Sequence, residues 1–378
     1  MKEAQFNLLS LRMKAACIVS LLFAEITGFC SQIQADLPLD ITRVQADGKI
    51  FNPSEDEQVN ISFEVTRKAD IHLMIYDALG QVVRSFDLPD SQAGRHVVSW
   101  DGRTPDNVFA SGELFLFVIK ATDERGRSIF YNRARETGGL EVKSLEYTLD
   151  RETGKIEYVL PNTCMIRIRA GLKDGLFAKT LIDWQPQLPG RHHFIWDGKD
   201  ESGLINLLKH PNLDLRLTCY ALPDNVIIMT GKTIPLTENI DNIGEKESHR
   251  EEIWGTKGKY LHYSHDPGVC HAPAFRVLFP SASNQEHNEN PIVTGNTPIR
   301  VEIDEKDLQH LINTRFEVMF FVDGVYIYEV EEGTSPFTFH WDTADFAKGP
   351  HIVTINIIGY DDHIGIVSKK LIVGESHE

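Results

Sequence analysis

The chain reads as an all-β protein of three tandem β-sandwiches, and three features predict it. A stretch ending in Trp-Asp-Gly is used twice, Gly94-Arg-His-Val-Val-Ser-Trp-Asp-Gly-Arg103 and Gly190-Arg-His-His-Phe-Ile-Trp-Asp-Gly-Lys199, with a looser version at Pro336-Phe-Thr-Phe-His-Trp-Asp-Thr343. Short runs of alternating or β-branched residues recur throughout, each closed by a turn signal such as Asp323-Gly324. Helical periodicity is confined to one short segment, Glu305 to Ile312. Several short strands without intervening long helices favour packed sheets over a parallel α/β fold.

Within each repeated stretch, stepping back by twos from the tryptophan gives Val98 and His96, Phe194 and His192, and Phe339 and Phe337. Alternate residues of a strand share a face, so each copy aims a mostly apolar row at a core. Trp100, Trp196 and Trp341 are therefore the expected core anchors, and His96 and His192 the expected half-buried neighbours. The following Asp-Gly suits a reversal, because glycine takes φ > 0 without penalty.

The first module, 40–130, opens with Asn60–Val65 and Ile71–Tyr76, turns at Asp77-Ala-Leu-Gly80 into Val82–Phe86, and ends with the apolar strand Glu113–Lys120. The second, 144–235, repeats the order with Lys155–Leu160, Met165–Arg169, the turn Asp174-Gly175 and Asp214–Tyr220. From turn glycine to tryptophan, Gly80 to Trp100 and Gly175 to Trp196 match in length to within one residue. A conserved internal length of that kind indicates duplication. A charged and then histidine-rich connector, 236–272, leads to the third module, 273–374. That module has strands at Pro298–Ile303, Phe316–Val322, Val325–Val330, His351–Ile358 and Ile366–Val373.

The motifs of the first module, Ile75-Tyr-Asp-Ala-Leu-Gly-Gln-Val-Val-Arg84, Ala93 to Arg103 and Ala110-Ser-Gly-Glu-Leu-Phe-Leu-Phe117, resemble the immunoglobulin-like domain of the flagellar hook-capping protein. The second module is similar but degenerate, with Ala170-Gly-Leu-Lys-Asp-Gly175 where Tyr-Asp-x-x-Gly would stand. The third resembles a bacterial immunoglobulin-like module, on Phe320-Phe-Val-Asp-Gly324, Phe339-His-Trp-Asp-Thr343 and Gly349-Pro-His351. The resemblance implies tandem immunoglobulin-like β-sandwiches used for spacing, docking or assembly outside the cytoplasm. It carries no catalytic residue, and fold alone does not assign a job.

Address and partners follow from charge and from the N-terminus. Arg12 and Lys14 precede the apolar run Ala15–Ala24, and Ile33-Gln-Ala35 precedes Asp36, which is the order of a secretory signal over 1–35. The run is too short to span a bilayer, and no membrane span follows it. A periplasmic or extracellular protein is expected. A net charge of −17 disfavours nucleic acid and anionic membrane, which leaves other exported or cell-envelope proteins as partners.

Candidate chemistry concentrates in Tyr260–His271, where His262, His265, Cys270 and His271 offer imidazole and thiolate to a transition metal, or to haem held by a redox partner. The same residues suit an irregular polar connector, since no standard zinc spacing and no Cys-x-x-Cys-His occurs. Two functions are thus in play: a non-enzymatic exported scaffold, and a metal- or haem-associated accessory protein of extracellular redox chemistry. Cys164 and Cys219 fall on two strands of one module and are either a disulfide or two small buried hydrophobes. Aspartate-rich turns (Asp197–Asp200, Asp304–Asp307, Asp361-Asp362) fit turn chemistry and lack the calcium-loop pattern. Trp184 and Trp254 lie outside the repeated pattern and are the candidates for an exposed contact surface. No hydrolase elbow, zinc-protease motif or nucleotide-binding loop is present.

Overall fold

Val59, Ile61, Phe63 and Val65 alternate with polar residues along the strand Val59–Val65, and that period-two pattern sets the inner face of the first sandwich. The computed structural model describes residues 38–78, 80–143, 145–231, 253–254, 272–282, 290–359 and 364–375. The signal segment 1–35 lies outside them. Strands β1 (Ile41–Asp47), β3 (Val59–Val65) and β6 (Gly94–Trp100) form one antiparallel sheet. Facing it are β2 (Ile50–Phe51), β4 (Ala69–Tyr76), β5 (Val82–Ser91), β7 (Leu114–Thr122) and β8 (Ser128–Tyr131). Trp100 fills the space between the sheets, edge-on to Phe51 and Phe115 at 5.7 and 5.0 Å between ring centroids.

The second sandwich has β9 (Tyr147–Asp150), β10 (Lys155–Leu160) and β13 (Gly190–Ile195) in one sheet. Its other sheet holds β11 (Cys164–Leu172), β12 (Phe177–Gln187) and β14 (Leu213–Ala221). The third pairs β16 (Phe275–Leu278), β18 (Asn296–Ile303) and β21 (Phe337–Asp342) in one sheet. Opposite lie β17 (Ile292–Val293), β19 (Phe316–Val322), β20 (Val325–Val330), β22 (Gly349–Gly359) and β23 (Ile364–Val373). The expected helical segment is present as Glu305–Thr314, and a single further turn of helix occupies Ala134–Thr137. Trp100, Trp196 and Trp341 each sit in a separate core.

One strand overturns the boundary between the first two modules. Residues Val226–Met229 (β15), assigned by sequence to the second module, hydrogen-bond into the first sandwich. They pair antiparallel with β7, Val226 opposite Leu116 and Ile228 opposite Leu114, and parallel with β2. The other half of the same β7 edge is taken by β8, ending with Tyr131 opposite Ile119. Continuing that register would set Asn132 against Val118 and the next residue against Phe117. Asn225 holds that next place: Phe117 N donates to Asn225 O at 3.1 Å, and Asn225 Nδ2 donates to Phe117 O at 2.6 Å. The last strand of the first sandwich is therefore split, and the second sandwich is inserted between its halves. Val-Ile-Ile-Met is apolar on both faces, so its pattern states that it is central without stating to which sheet it belongs.

Burial on both faces has a visible cause. Phe115, Phe117 and Ile119 of β7 point into the first core, while Leu114, Leu116 and Val118 point the other way. The latter meet Met165, Trp184, Leu222 and Trp254 in a seam between the first two sandwiches. A bulge in β12, where Ile166 and Ile168 of β11 face Gln185 and Ile182, places Trp184 at φ 38° and re-aims its ring. Its indole lies under the Arg167 guanidinium at 4.2 Å. Trp254 donates its Nε1–H to Asp77 O at 2.9 Å, and Asn132 Nδ2 donates to Ile253 O at 2.8 Å. The expectation that Trp184 and Trp254 are exposed is thus corrected; they are 5% and 1% exposed. A tryptophan outside the repeated pattern can belong to a joint between modules as well as to a surface.

The third sandwich packs against the second through the outward face of β19. Phe321 is buried in the second core and Met319 packs beside it, while Val318, Phe320 and Val322 serve the third core.

Candidate interaction surfaces

A sheet edge becomes available to another chain when its outer N–H and C=O groups lack a neighbour and nothing blunts it. Strand β5 carries Pro89 and a register shift near each end; β12 carries Pro186 and three shifts. Strand β14 is partly covered, because Gly139 and Val142 donate to Ala221 O and Cys219 O. Strand β20, Val-Tyr-Ile-Tyr-Glu-Val, is the outer strand of its sheet; its register shifts once, between Phe320 and Phe321, but it contains neither proline nor lysine.

Sequence and turn geometry together hold β20 in place. Asp323 and Gly324 take φ 51° and 81°, the conformation a tight hairpin requires and Asp-Gly favours. Its inward residues Ile327 and Val330 pack on the third core. At its start Val325 is 64% exposed and Tyr326 50%. Tyr328 stacks flat on Phe339, 4.4 Å between centroids and 5° between planes, which fixes the ring while its rim stays accessible.

Acidic groups line this edge. Glu317, Glu329 and Glu331 interact closely enough that the Glu317 carboxyl is held above its ordinary pKa, first by desolvation and then by the charges of Glu329 and Glu331. Tyr326 donates to Glu329 Oε2 at 3.4 Å, and burial followed by Glu329 raises its pKa. At the end of the strand a hollow of about 200 Å³ is lined by Ile312, Arg315, Phe316, Glu332 and Gly333. The arrangement offers main-chain pairing, aromatic contact and negative charge.

The residues singled out from sequence fall elsewhere. His262, His265, Cys270 and His271 lie outside the described residues, as do Asp361 and Asp362. Among the described residues no group of three or more histidine, cysteine or carboxylate side chains is placed to hold a metal ion. His96 and His192 are half-buried, stacked on Phe63 and Tyr158, with Nε2 at 2.9 Å from Gln92 O and 2.8 Å from Leu188 O. His351 repeats the device after Gly349, with Nε2 at 2.7 Å from Ala347 O. Gly94, Gly190 and Gly349 precede these histidines at φ 125°, 128° and 122°. Trp100 and Trp196 donate alike, to Arg103 O at 2.9 Å and Lys199 O at 3.0 Å.

Asp200 serves a turn, accepting from Ile205 N at 2.8 Å, whereas Asp307 lies on the helix Glu305–Thr314 and accepts from the distant Ala274 N at 2.8 Å. Cys164 and Cys219 are free thiols, both buried. Sequence reasoning missed the β20 edge as a surface, although the absence of proline and lysine from Val325–Val330 was available as a signal.

Residues 48–125 match the family described as FlgD Ig-like domain, so the first sandwich is an Ig-like domain. The match ends before β15, the strand that completes this sandwich from beyond the second. No curated protein matches the chain. Solved structures similar in part include a tetra-tandem repeat from the extending region of a large adhesion protein, at 11% identity. It covers 90% of this chain and 75% of that one, with a TM-score of 0.21. The central fibronectin-III array of RIM-binding protein is 10% identical over 90% of this chain and 98% of that one, TM-score 0.18. Dimeric latent PorU from Porphyromonas gingivalis is 10% identical over 89% of this chain and 34% of that one, TM-score 0.21. Ig-like architectures are typically non-enzymatic, and among the described residues no helix is long and apolar enough to cross a membrane.

Proposed function

We propose that this chain is an exported, non-catalytic scaffold whose three sandwiches hold a docking edge in a fixed orientation. The second sandwich is read as a diverged copy of the first, supported by the matching Trp-to-carbonyl and His-to-carbonyl hydrogen bonds. The third is read as a more distant Ig-like module. Export rests on the basic, apolar and small-residue order of residues 1–35. The partner is read as an exported protein offering an extended segment rich in lysine or arginine and β-branched residues. It would add as a strand to β20, with its basic side chains meeting Glu317, Glu329 and Glu331.

The observation that carries this reading is the pairing of a tyrosine-bearing edge free of proline and lysine with an acidic border. A second copy of the chain fits less well, because it would bring the same carboxylates to the contact. The test uses the full chain and two synthetic peptides, one alternating lysine with valine and one alternating glutamate with valine. The lysine peptide is expected to bind with an affinity that falls as salt rises, and Glu329→Lys with Glu331→Lys should weaken it at least tenfold. Reversing the exposed Asp106 and Glu124 in the first sandwich should leave binding unchanged. Equal binding of both peptides, or equal loss with either pair of reversals, would discard the docking edge.

A further inference from the structure

Cys164 opens β11 and Cys219 lies near the end of β14. These strands pair in unbroken antiparallel register, with Cys164 opposite Ala221 and Ile166 opposite Cys219. The two cysteines are therefore diagonal neighbours on the same inward face. Both are essentially inaccessible, at 0% and 1% exposure, within the second core. Each thiol shifts the other's ionisation, Cys164 downward and Cys219 upward, as neighbouring sulfurs on one face do. The backbone around them is tied down: Val142 N donates to Cys219 O at 2.8 Å and Leu222 N to Thr163 O at 2.8 Å.

We propose that Cys164 and Cys219 close a cross-strand disulfide, which staples the central strand β11 of the inserted sandwich to its edge strand β14. A diagonal pair on neighbouring strands meets disulfide geometry when the two strands draw together locally at that point, and the register need not slip. The proposal deepens the export reading and rests on it for where oxidation would occur, because oxidising compartments are where such bonds persist.

The chemistry is thiol–disulfide exchange with an oxidising disulfide, either of a dithiol oxidoreductase or of oxidised glutathione. The Cys164 thiolate attacks one sulfur of the oxidant, forming a mixed disulfide and expelling the other sulfur as a thiolate. The Cys219 thiolate then attacks the Cys164 sulfur and expels the second. One S–S bond forms in the protein and one breaks in the oxidant, and the two cysteine protons end on the departing thiolates. Neither sulfur is reachable in the folded sandwich, so closure belongs to the folding step, before β14 docks.

The test unfolds the full chain, refolds it with oxidised and reduced glutathione, and labels remaining thiols with a maleimide in denaturant. The expected result is two protected cysteines and a proteolytic fragment joining the Cys164 and Cys219 peptides, released by reductant. The same should hold in Cys270→Ser, which removes a competing thiol. The oxidised form should also melt several degrees higher than the reduced form. Full labelling of both cysteines, or linkage of either to another cysteine, would overturn the pairing. Closure in the refolded protein, with both thiols still free in protein taken from its native cell, would uphold the pairing and count against export instead.

Discussion

Asn356 holds Phe177 by both of its main-chain polar groups: Nδ2 donates to Phe177 O at 2.9 Å, and Oδ1 accepts from Phe177 N at 2.8 Å. The side-chain amide thus stands in for a neighbouring strand's peptide group at the start of β12, across the joint between the second and third sandwiches. Asn356 is completely buried, so removing it strands both groups of Phe177 away from water. Asn356→Ala is expected to destabilise this joint by about 2 kcal/mol, on the scale of two neutral hydrogen bonds. Hydrogen exchange should show the loss at Phe177 and along β12, with the first sandwich unaffected. Unchanged exchange at Phe177 would mean the contact contributes nothing.

The split strand makes a sharper prediction about folding units. A chain of residues 38–143 contains the whole family match but leaves one edge of β7, over Leu114 to Leu116, without its neighbour β15. It should fail to give a cooperative urea transition. Joining Asn132 directly to Asn225, which deletes the inserted sandwich, should restore one, because the registers of β8 and β15 meet at that point. Equal stability of the two chains would show that β15 is dispensable.

Much of this was legible from residues and some of it was not, for definite reasons. The strands of the third module and the helix beginning at Glu305 were readable, because each is a local pattern closed by its own turn residues. Trp100, Trp196 and Trp341 could be placed as core anchors because each ends an alternating row. The assignment of Val226–Met229 failed because its four apolar residues hold no information about the sheet they enter. Trp184 could not be placed, since its direction depends on a bulge that no local pattern announces. Asn356 shows the same limit, a polar residue in an apolar strand whose partner lies in another module.

Trp254 tests the seam between the first two sandwiches. Its ring is buried among Tyr76, Leu114, Trp184 and Ile228, and its Nε1–H meets Asp77 O. Trp254→Ala should lower stability by about 3–5 kcal/mol, the range for emptying an aromatic site. Trp254→Phe keeps most of the contact and loses the hydrogen bond, with an expected loss of about 1–2 kcal/mol. Denaturant titration of both variants checks the ordering. If the two lose equally, packing is not what the residue supplies.

His351 makes the stability of the third sandwich depend on pH. Its Nδ1 lies 2.6 Å from Asp323 Oδ2 and its Nε2 2.7 Å from Ala347 O. A carboxylate and a carbonyl oxygen can only accept, so both contacts are hydrogen bonds only when the ring carries two protons. Burial pulls the pKa down, but the bonds to Ala347 and Asp323 and the Asp323 charge outweigh it, and the net shift is upward from 6.5. A group whose folded pKa is raised adds stability that is complete below its unfolded pKa and fades as pH climbs through the folded value. The third sandwich should therefore lose stability as pH rises above 6.5, and Asp323→Asn should shrink that loss by removing the charge that favours the imidazolium. Because the turn at Gly324 lies close to Leu172, the same titration should loosen the joint with the second sandwich. Melting temperatures from pH 5.5 to about 8.5, with the His351 ring titrated by NMR, decide it: a flat profile in the native chain would show that the imidazolium contributes nothing to the fold.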